Sequence, residues 1–247
     1  MGRLKNSTKY KRGYPVAILA GLEKDKAVLC RIYSNVAKHE KTISPDRIGI
    51  GSKTLYNFHE TVINALRPAL KEGVRSIIIA SPPRTNCSQE FINHVRQHHA
   101  WLSQGSNKVV ISEIVGTAGT PSQVAALSKA PIFHELVEQT TSEETEDLVE
   151  LLDRKLNLSN SEKTVLFSLE EAEASIIKHR EQSELRPEHL LLTDKYLQGN
   201  PKKNRLNRLI QIAANKKVKT RIISAESPAG KRITQLGGLV CLMKESE

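Results

Sequence analysis

The chain has 247 residues, 38% of them hydrophobic, and a formal net charge of +10 at pH 7. The length suits one large domain or two ordinary ones, and the apolar content excludes a largely disordered chain. The positive charge favours polyanionic partners such as RNA, because cationic groups displace counterions from phosphate backbones.

The cysteines and the N-terminal segment bear on the compartment. Cys30, Cys87 and Cys241 are widely spaced and form no CxxC pair, which predicts free thiols in a reducing environment. The N-terminus has no apolar core of a signal peptide, and the sequence has no apolar run of about 18 residues that would span a membrane. Residues 1–13 are basic, and we predict a basic N-terminal arm there. Together these features predict a cytoplasmic protein.

The first half begins with strands and continues as a strand–helix alternation. The predicted elements are strands at 15–21, 26–33 and 36–43, a loop at 44–54, a helix at 55–72, a strand at 74–80, a helix at 87–102, a strand at 108–114 and a helix at 122–127. The strand at 74–80 is almost continuously apolar, as expected where helices cover both faces of a sheet. This order predicts a mixed α/β domain at 14–130.

The second half begins with a long helix at 132–156 that is acidic in its middle. The elements predicted after it are a strand at 164–167, a helix at 169–178, a strand at 189–193, a helix at 203–215, a strand at 219–224, a helix at 229–236 and a strand at 239–243. Ser168 and Glu171 fit a capping box at a helix start. The renewed alternation predicts a second α/β domain at 131–247.

Several segments carry a resemblance to a known family. Residues 190–197 have the sequence LLLTDKYL, and residues 230–243 give a short basic helix, a glycine turn and a closing strand. With the strand and turn at 108–119 and the helices at 138–156 and 169–177, this order resembles the central and C-terminal domains of the Pelota and archaeal/eukaryotic class-1 release factor superfamily.

The resemblance implies an α/β fold with two domains. It predicts a ribonuclease-H-like mixed-sheet central domain at 14–130. The C-terminal domain at 131–247 is expected to have the α/β/α arrangement of kink-turn-binding ribosomal proteins. Members of the family carry an additional N-terminal domain that reaches toward the decoding site. Because the central-domain strands begin by Pro15 here, we expect that domain to be absent.

The loop at 44–54 bears on catalysis. Peptide-releasing members of the family carry Gly-Gly-Gln on the corresponding loop, whereas this loop has Gly49 and Gly51 but no glutamine. It therefore resembles the loop of Pelota, which does not hydrolyse peptidyl-tRNA. Arg47 and Lys53 can reach RNA phosphates or a translational GTPase from a loop made flexible by glycine. The alternative, which stays open, is that Gly49 and Gly51 only permit a tight connection between the preceding strand and the following helix.

The resemblance predicts a non-catalytic Pelota-like translation factor that binds ribosomes or ribosomal subunits, through rRNA or tRNA, in rescue, recycling or surveillance of stalled translation. It implies a translational GTPase of elongation-factor type and a recycling ABC-type ATPase as partners, and no cofactor. Two alternatives remain open. One is a peptidyl-tRNA hydrolase or release factor with a variant loop, and the other is a stand-alone protein that binds structured RNA.

The segment 200–232 is the main candidate for RNA contact. Its only acid is Glu226, and it contains no aromatic residue, which favours phosphate contacts with structured RNA over base stacking. Lys202, Arg205 and Arg208 are spaced to share one helix face. The predicted RNA-binding residues are Lys202, Lys203, Arg205, Arg208, Lys216, Lys217, Lys219, Arg221, Lys231 and Arg232.

No metal site and no catalytic group are predicted. His94, His98 and His99 lie in one predicted helix, where the spacing places His94 and His98 together, but no third ligand lies nearby in the sequence. Exposed histidines on a polar helix face are therefore expected. The turn at 117–123 precedes a helix but lacks the glycine patterns of nucleotide-binding loops. Asp194 has no neighbour in sequence that would make it catalytic.

Overall fold

The computed structural model describes residues 14–33, 36–45, 52–104, 108–157, 164–178 and 185–245. These residues form two β-sheets with helices on both faces, so the predicted α/β class is confirmed. The basic arm predicted at 1–13 lies outside the described residues. Among the helices that are described, none is long and apolar enough to cross a membrane.

The first half contains a five-stranded mixed sheet. Its elements are β1 (Pro15–Leu22), β2 (Ala27–Tyr33), β3 (Ala37–Ile43), α1 (Ser52–Lys71), β4 (Ser76–Ser81), α2 (Cys87–His98), α3 (Ala100–Ser103), β5 (Val110–Val115) and α4 (Pro121–Leu127). The strand order is β3-β2-β1-β4-β5. The first three strands pair antiparallel, and β4 pairs parallel with both β1 and β5, as the sequence pattern predicts for a mixed sheet.

The second half contains a four-stranded sheet. Its elements are α5 (Pro131–Leu156), β6 (Val165–Leu166), α6 (Leu169–Lys178), β7 (Leu185–Thr193), α7 (Asp194–Gly199), α8 (Lys203–Asn215), β8 (Lys219–Ile223), α9 (Pro228–Gln235) and β9 (Leu239–Glu245). The strand order is β6-β9-β7-β8, and only the β7–β8 pair is parallel. The parallel pair places the ends of β7 and β8 at the same edge of the sheet.

Alternate residues of the central strands build cores on both faces of each sheet, because successive side chains of a strand point to opposite sides. In β1, Ile18 packs in a core with α1 and α2, while Leu19 packs with α4 and α5. In β7, Leu190 packs with α6 and α8, while Leu191 packs with α5 and α9. Each sheet is therefore the middle of three layers, which explains the almost continuous apolar runs in its central strands.

The long helix α5 packs on both sheets. Phe133, near its start, belongs to the core on the first sheet, and Leu152, near its end, belongs to the core on the second sheet. The predicted domain boundary between residues 130 and 131 therefore falls at the start of a helix that both halves share. The division into domains at 14–130 and 131–247 stays a prediction.

One predicted helix is wrong in detail, and one observed helix has no predicted counterpart. The helix predicted at 87–102 is broken at His99, whose φ of −131° and ψ of 51° end α2 and begin α3. The helix α7 was not predicted, because the apolar run that ends in Thr193 indicates only a strand. Thr193 caps this helix, since its hydroxyl oxygen accepts the backbone N–H of Tyr196 at 3.2 Å.

Candidate nucleic-acid interface

The helix α8 is the structural basis of the candidate interface. Leu206, Leu209 and Ala213 bury one stripe of it against the second sheet. The helix contains no acidic residue, and its opposite side carries exposed polar and basic side chains. The periodic burial of the leucines therefore holds a positively charged face toward solvent.

Two of the predicted RNA-binding residues on this helix have acidic partners instead. Lys202 Nζ lies 3.0 Å from Glu170 Oε1, and Arg205 lies 3.2 Å from the same oxygen and also pairs with Glu173. Both acids belong to α6, which packs beside α8. The face that Lys202 and Arg205 share is therefore largely neutralised by the neighbouring helix.

Four exposed cations remain on and just after α8: Lys203, Arg208, Lys216 and Lys217. Lys216 donates a hydrogen bond from Nζ to the carbonyl oxygen of Ile177 at 2.9 Å, which leaves its charge uncompensated. We call these four residues the α8 surface. Because their charges are exposed and face solvent, they are the strongest candidates for contacts to phosphates.

The predicted residues on β8 do not join this surface. Lys219 pairs with Glu188, with 3.2 Å between Nζ and Oε1. Arg221 is only 5% exposed and forms an ion pair with Glu144 of α5. The predicted contact of Arg221 with RNA is therefore wrong, because burial closes the guanidinium off from any polyanion.

The predicted residues on α9 lie apart from α8. Arg232 pairs with Asp153 at 2.8 Å, and Lys231 is exposed. The helices α8 and α9 pack on opposite faces of the second sheet, as their separate cores show. The ten basic residues that are close in sequence therefore do not form one surface.

The loop predicted at 44–54 is only partly described. Arg47, Gly49 and Gly51 lie outside the described residues. Lys53 is exposed in the first turn of α1, so the helix begins three residues earlier than the predicted start at 55. The proposed contact of these four residues with RNA or a GTPase stays a prediction.

The histidines of α2 differ from their predicted exposure. His94 and His99 are each 7% exposed, whereas His98 is exposed. The Nε2 atoms of His94 and His99 both contact Glu60 of α1, a partner that sequence reasoning missed. Although burial opposes ionisation, the hydrogen bonds from His99 and His94 hold the pKa of Glu60 below its usual value. Only tertiary packing brings this carboxylate to the histidines, since it lies on a separate helix.

The turn at 117–123 has structural roles. The hydroxyl of Thr120 caps α4 by accepting the backbone N–H of Gln123 at 3.3 Å. Ala118 approaches β1 so closely that a Cβ at Gly21 would lie 2.2 Å from the carbonyl oxygen of Ala118. The turn is thus held against the sheet.

Asp194 also has a structural role at the tip of β7. Its Oδ1 accepts the backbone N–H groups of Lys195 at 2.7 Å and Ala225 at 2.8 Å. The carboxylate therefore ties the end of β7 to the turn that leads into α9.

The Arg221–Glu144 pair lies where the two halves meet. Arg221 also donates to the carbonyl oxygens of Val16 at 3.2 Å and Pro15 at 3.4 Å, which belong to β1. Ser76 of β4 donates its hydroxyl to the same Glu144 oxygen. One buried ion pair thus joins β8, α5 and two strands of the first sheet.

His189 lies close to the Arg221–Glu144 pair, and its buried imidazole leads us to predict that the stability of the fold depends on pH. Burial and the charge of Lys219 lower the pKa of His189 to about 4 from 6.5, while Glu188 opposes the shift and Arg75 and Lys155 support it. Between these values the unfolded chain binds a proton that the folded chain does not, so stability falls as pH drops from 6.5 toward 4.

We expect His189 to account for about 2 kcal/mol of the free energy of unfolding that is lost between pH 7 and pH 4.5. The measurement is urea unfolding of the wild type and of His189→Gln at pH 7 and at pH 4.5. The variant should lose less stability than the wild type over this interval. Equal losses in the two proteins would contradict the assignment.

The comparisons with known proteins bear on the fold. No protein-family model and no curated protein matches the sequence. The structure is similar to that of S. cerevisiae Dom34, a translation termination-like factor involved in RNA quality control pathways and interacting with Hbs1. The match has a TM-score of 0.52 and 17% identity, and it covers 94% of this chain and 63% of Dom34.

The structure is also similar to that of archaeal Pelota in a ribosome-bound assembly with ABCE1. This match has a TM-score of 0.54 and 14% identity, and it covers 98% of this chain and 65% of Pelota. The chain therefore spans just under two thirds of the length of both proteins. The likeness confirms the predicted resemblance at the level of the fold.

Proposed function

We propose that this chain is a Pelota-like translation factor that binds ribosomes or ribosomal subunits without catalysing a reaction, in rescue, recycling or surveillance of stalled translation. The observation that carries the proposal is the fold shared with two translation factors over 94% and 98% of the chain. The α8 surface supports it, because a helix with exposed cations and no acid suits ribosomal RNA.

The proposal includes the partners that the resemblance implies, a translational GTPase and an ABC-type ATPase. Dom34 interacts with Hbs1, and archaeal Pelota is found with ABCE1, which makes proteins of these types the first to test. The hydrolase alternative has less support, because the segment 44–54 contains no glutamine to place a water molecule at the peptidyl-tRNA ester.

Co-sedimentation tests the proposal. The purified protein is pelleted with intact ribosomes, with separated subunits and with protein-free ribosomal RNA across a series of salt concentrations. Retention on one particle at a salt concentration that releases the protein from naked RNA would support it. Equal and equally salt-sensitive binding to every RNA would favour the stand-alone RNA-binding alternative and overturn the proposal.

A further inference from the structure

Glu60, His94 and His99 bring three potential metal-ligating groups together in the first half of the chain. The Nε2 atoms of His94 and His99 lie 3.0 Å and 2.6 Å from the same oxygen, Oε1 of Glu60. One ligand atom from each of the three residues lies within 4.8 Å of the others. We call these residues the Glu60 cluster. Its composition, two imidazoles and one carboxylate, is a ligand set that zinc enzymes use.

The backbone fixes the position of His99. His99 lies five positions after His94, so a continuous helix would direct their side chains apart. The break between α2 and α3 removes this obstacle. The His99 N–H donates to the carbonyl oxygen of Val95 at 2.8 Å, and the His99 carbonyl accepts the N–H of Leu102 at 2.8 Å. Backbone hydrogen bonds thus hold His99 to the residues on both sides of the break, which favours a preformed position of its imidazole.

Burial and packing also define the cluster. The side chains of His94 and His99 are 6% and 9% exposed, whereas that of Glu60 is 27% exposed. The ring of Tyr56 stands edge-on to His94 with 4.9 Å between the ring centroids. The imidazoles are therefore enclosed by protein, while the carboxylate side stays open to solvent. An ion bound there can retain a water molecule in addition to its protein ligands.

We infer that the Glu60 cluster is a binding site for a divalent transition-metal ion of the zinc type. Glu60 Oε1 and the two Nε2 atoms are the protein ligands, and water completes the coordination. A tetrahedral ion with bonds of about 2.1 Å holds its ligands roughly 3.4 Å apart, so each Nε2 atom must move away from Glu60 Oε1 by less than about 1 Å. The bound ion would link α1 to α2 and to the residue between α2 and α3. This inference does not depend on the proposed function.

Trp101 reports on the tautomer of His99. The indole Nε1–H donates to His99 Nδ1 at 3.4 Å, so in the metal-free protein Nε2 carries the proton and donates to Glu60. A metal ion on Nε2 requires the proton to move to Nδ1, where it faces the indole N–H. The contact with Trp101 must then open. Because Trp101 is the only tryptophan of the chain, the tryptophan fluorescence comes from this one side chain beside His99.

The experiment is a Co²⁺ titration of the tag-free full chain after treatment with a chelator. Visible absorption of Co²⁺ reports coordination by nitrogen and oxygen ligands. Trp101 fluorescence is followed in a parallel titration with Zn²⁺, which has no d–d absorption and therefore does not quench the indole as Co²⁺ does, and Zn²⁺ is also added to the Co²⁺ form as a competitor. We expect saturation at one equivalent, a fluorescence change over the same range, and displacement by Zn²⁺. Zn²⁺ should also raise the Tm of the wild type, because it binds only the folded state.

The variants are chosen to separate ligands from neighbours. Glu60→Gln and His99→Gln should weaken Co²⁺ binding by more than about 100-fold. His98→Gln is the matched control, because exposed His98 lies beside His94 but outside the cluster, and it should bind within about twofold of the wild type. Absence of Co²⁺ bands in the wild type would overturn the inference. An equal loss of binding in the His98 control would also overturn it.

Discussion

Arg221→Met is expected to lower the free energy of unfolding by about 3 to 5 kcal/mol, because it leaves the Glu144 carboxylate buried without its cation. The two side chains are 5% and 4% exposed, so water cannot replace the lost partner. Methionine fills a similar volume with its unbranched chain, which limits the contribution of an empty cavity to this loss.

The position of the Arg221–Glu144 pair makes the expected loss of stability larger than the loss from breaking an exposed salt bridge. Arg221 also donates to the backbone of β1, and Glu144 also accepts from Ser76 of β4. Removing the guanidinium therefore leaves the Val16 carbonyl oxygen with one donor fewer as well. Since β8 and α5 meet the first sheet at this point, the variant is expected to weaken the contact between the two halves.

Urea unfolding followed by circular dichroism and by Trp101 fluorescence measures both effects. Trp101 reports only on the first half, so transitions that coincide in the wild type and separate in Arg221→Met would show that the halves are uncoupled. The double variant Arg221→Met/Glu144→Leu should recover most of the lost stability, because the buried carboxylate is then removed together with its ion-pair partner.

The exposed pair Arg232–Asp153 supplies the matched control. Its side chains are 40% and 43% exposed, and Arg232→Met should cost less than about 1 kcal/mol. A loss in Arg221→Met no larger than in this control would contradict a stabilising role for the buried pair.

The sequence predicts the elements of the fold where hydrophobic periodicity is strong. The run at 190–192 and the leucine stripe of α8 lie in the predicted strand and helix, because a short continuous apolar run indicates a strand buried on both faces and the stripe has the period of a helix. The first four residues of β7 lie outside the predicted strand, which begins at 189. They have the sequence Leu-Arg-Pro-Glu, and a proline with two charged residues argues against a strand in a sequence pattern.

The candidate site is less predictable, because it depends on contacts between distant residues. Arg221 and Glu144 are 77 residues apart, and nothing near Arg221 in the sequence distinguishes it from the basic residues around it. Similarly, Lys202 and Arg205 meet acids of α6 that a helical wheel of α8 cannot show.

Removing the four charges of the α8 surface is expected to abolish most ribosome binding if the proposed function holds. The variant combines Lys203→Gln, Arg208→Gln, Lys216→Gln and Lys217→Asn. Asparagine is used at 217 because Lys217 has a φ of +61°, in the left-handed region that asparagine tolerates better than most residues. The change lowers the formal net charge from +10 to +6.

The expected result is quantitative. Each phosphate contact contributes about 0.7 to 0.9 of a unit to the slope of log affinity against log salt concentration, so a variant that loses four contacts should lose about 3 units of slope. Its affinity should fall by at least about 100-fold at low salt and by less at high salt, where the screened contacts contribute little. Fluorescence anisotropy of a labelled protein titrated with ribosomes or subunits over a salt series measures both quantities.

A second variant with the same net charge separates a local surface from the charge of the whole protein. It replaces four exposed lysines of the first half by glutamine: Lys24, Lys38, Lys71 and Lys129. If global charge alone attracts the ribosome, the two variants will weaken binding equally, and the α8 surface is not an interface. If the control retains most of the wild-type salt slope, the contacts belong to α8, because long-range attraction depends on total charge whereas phosphate contacts depend on position.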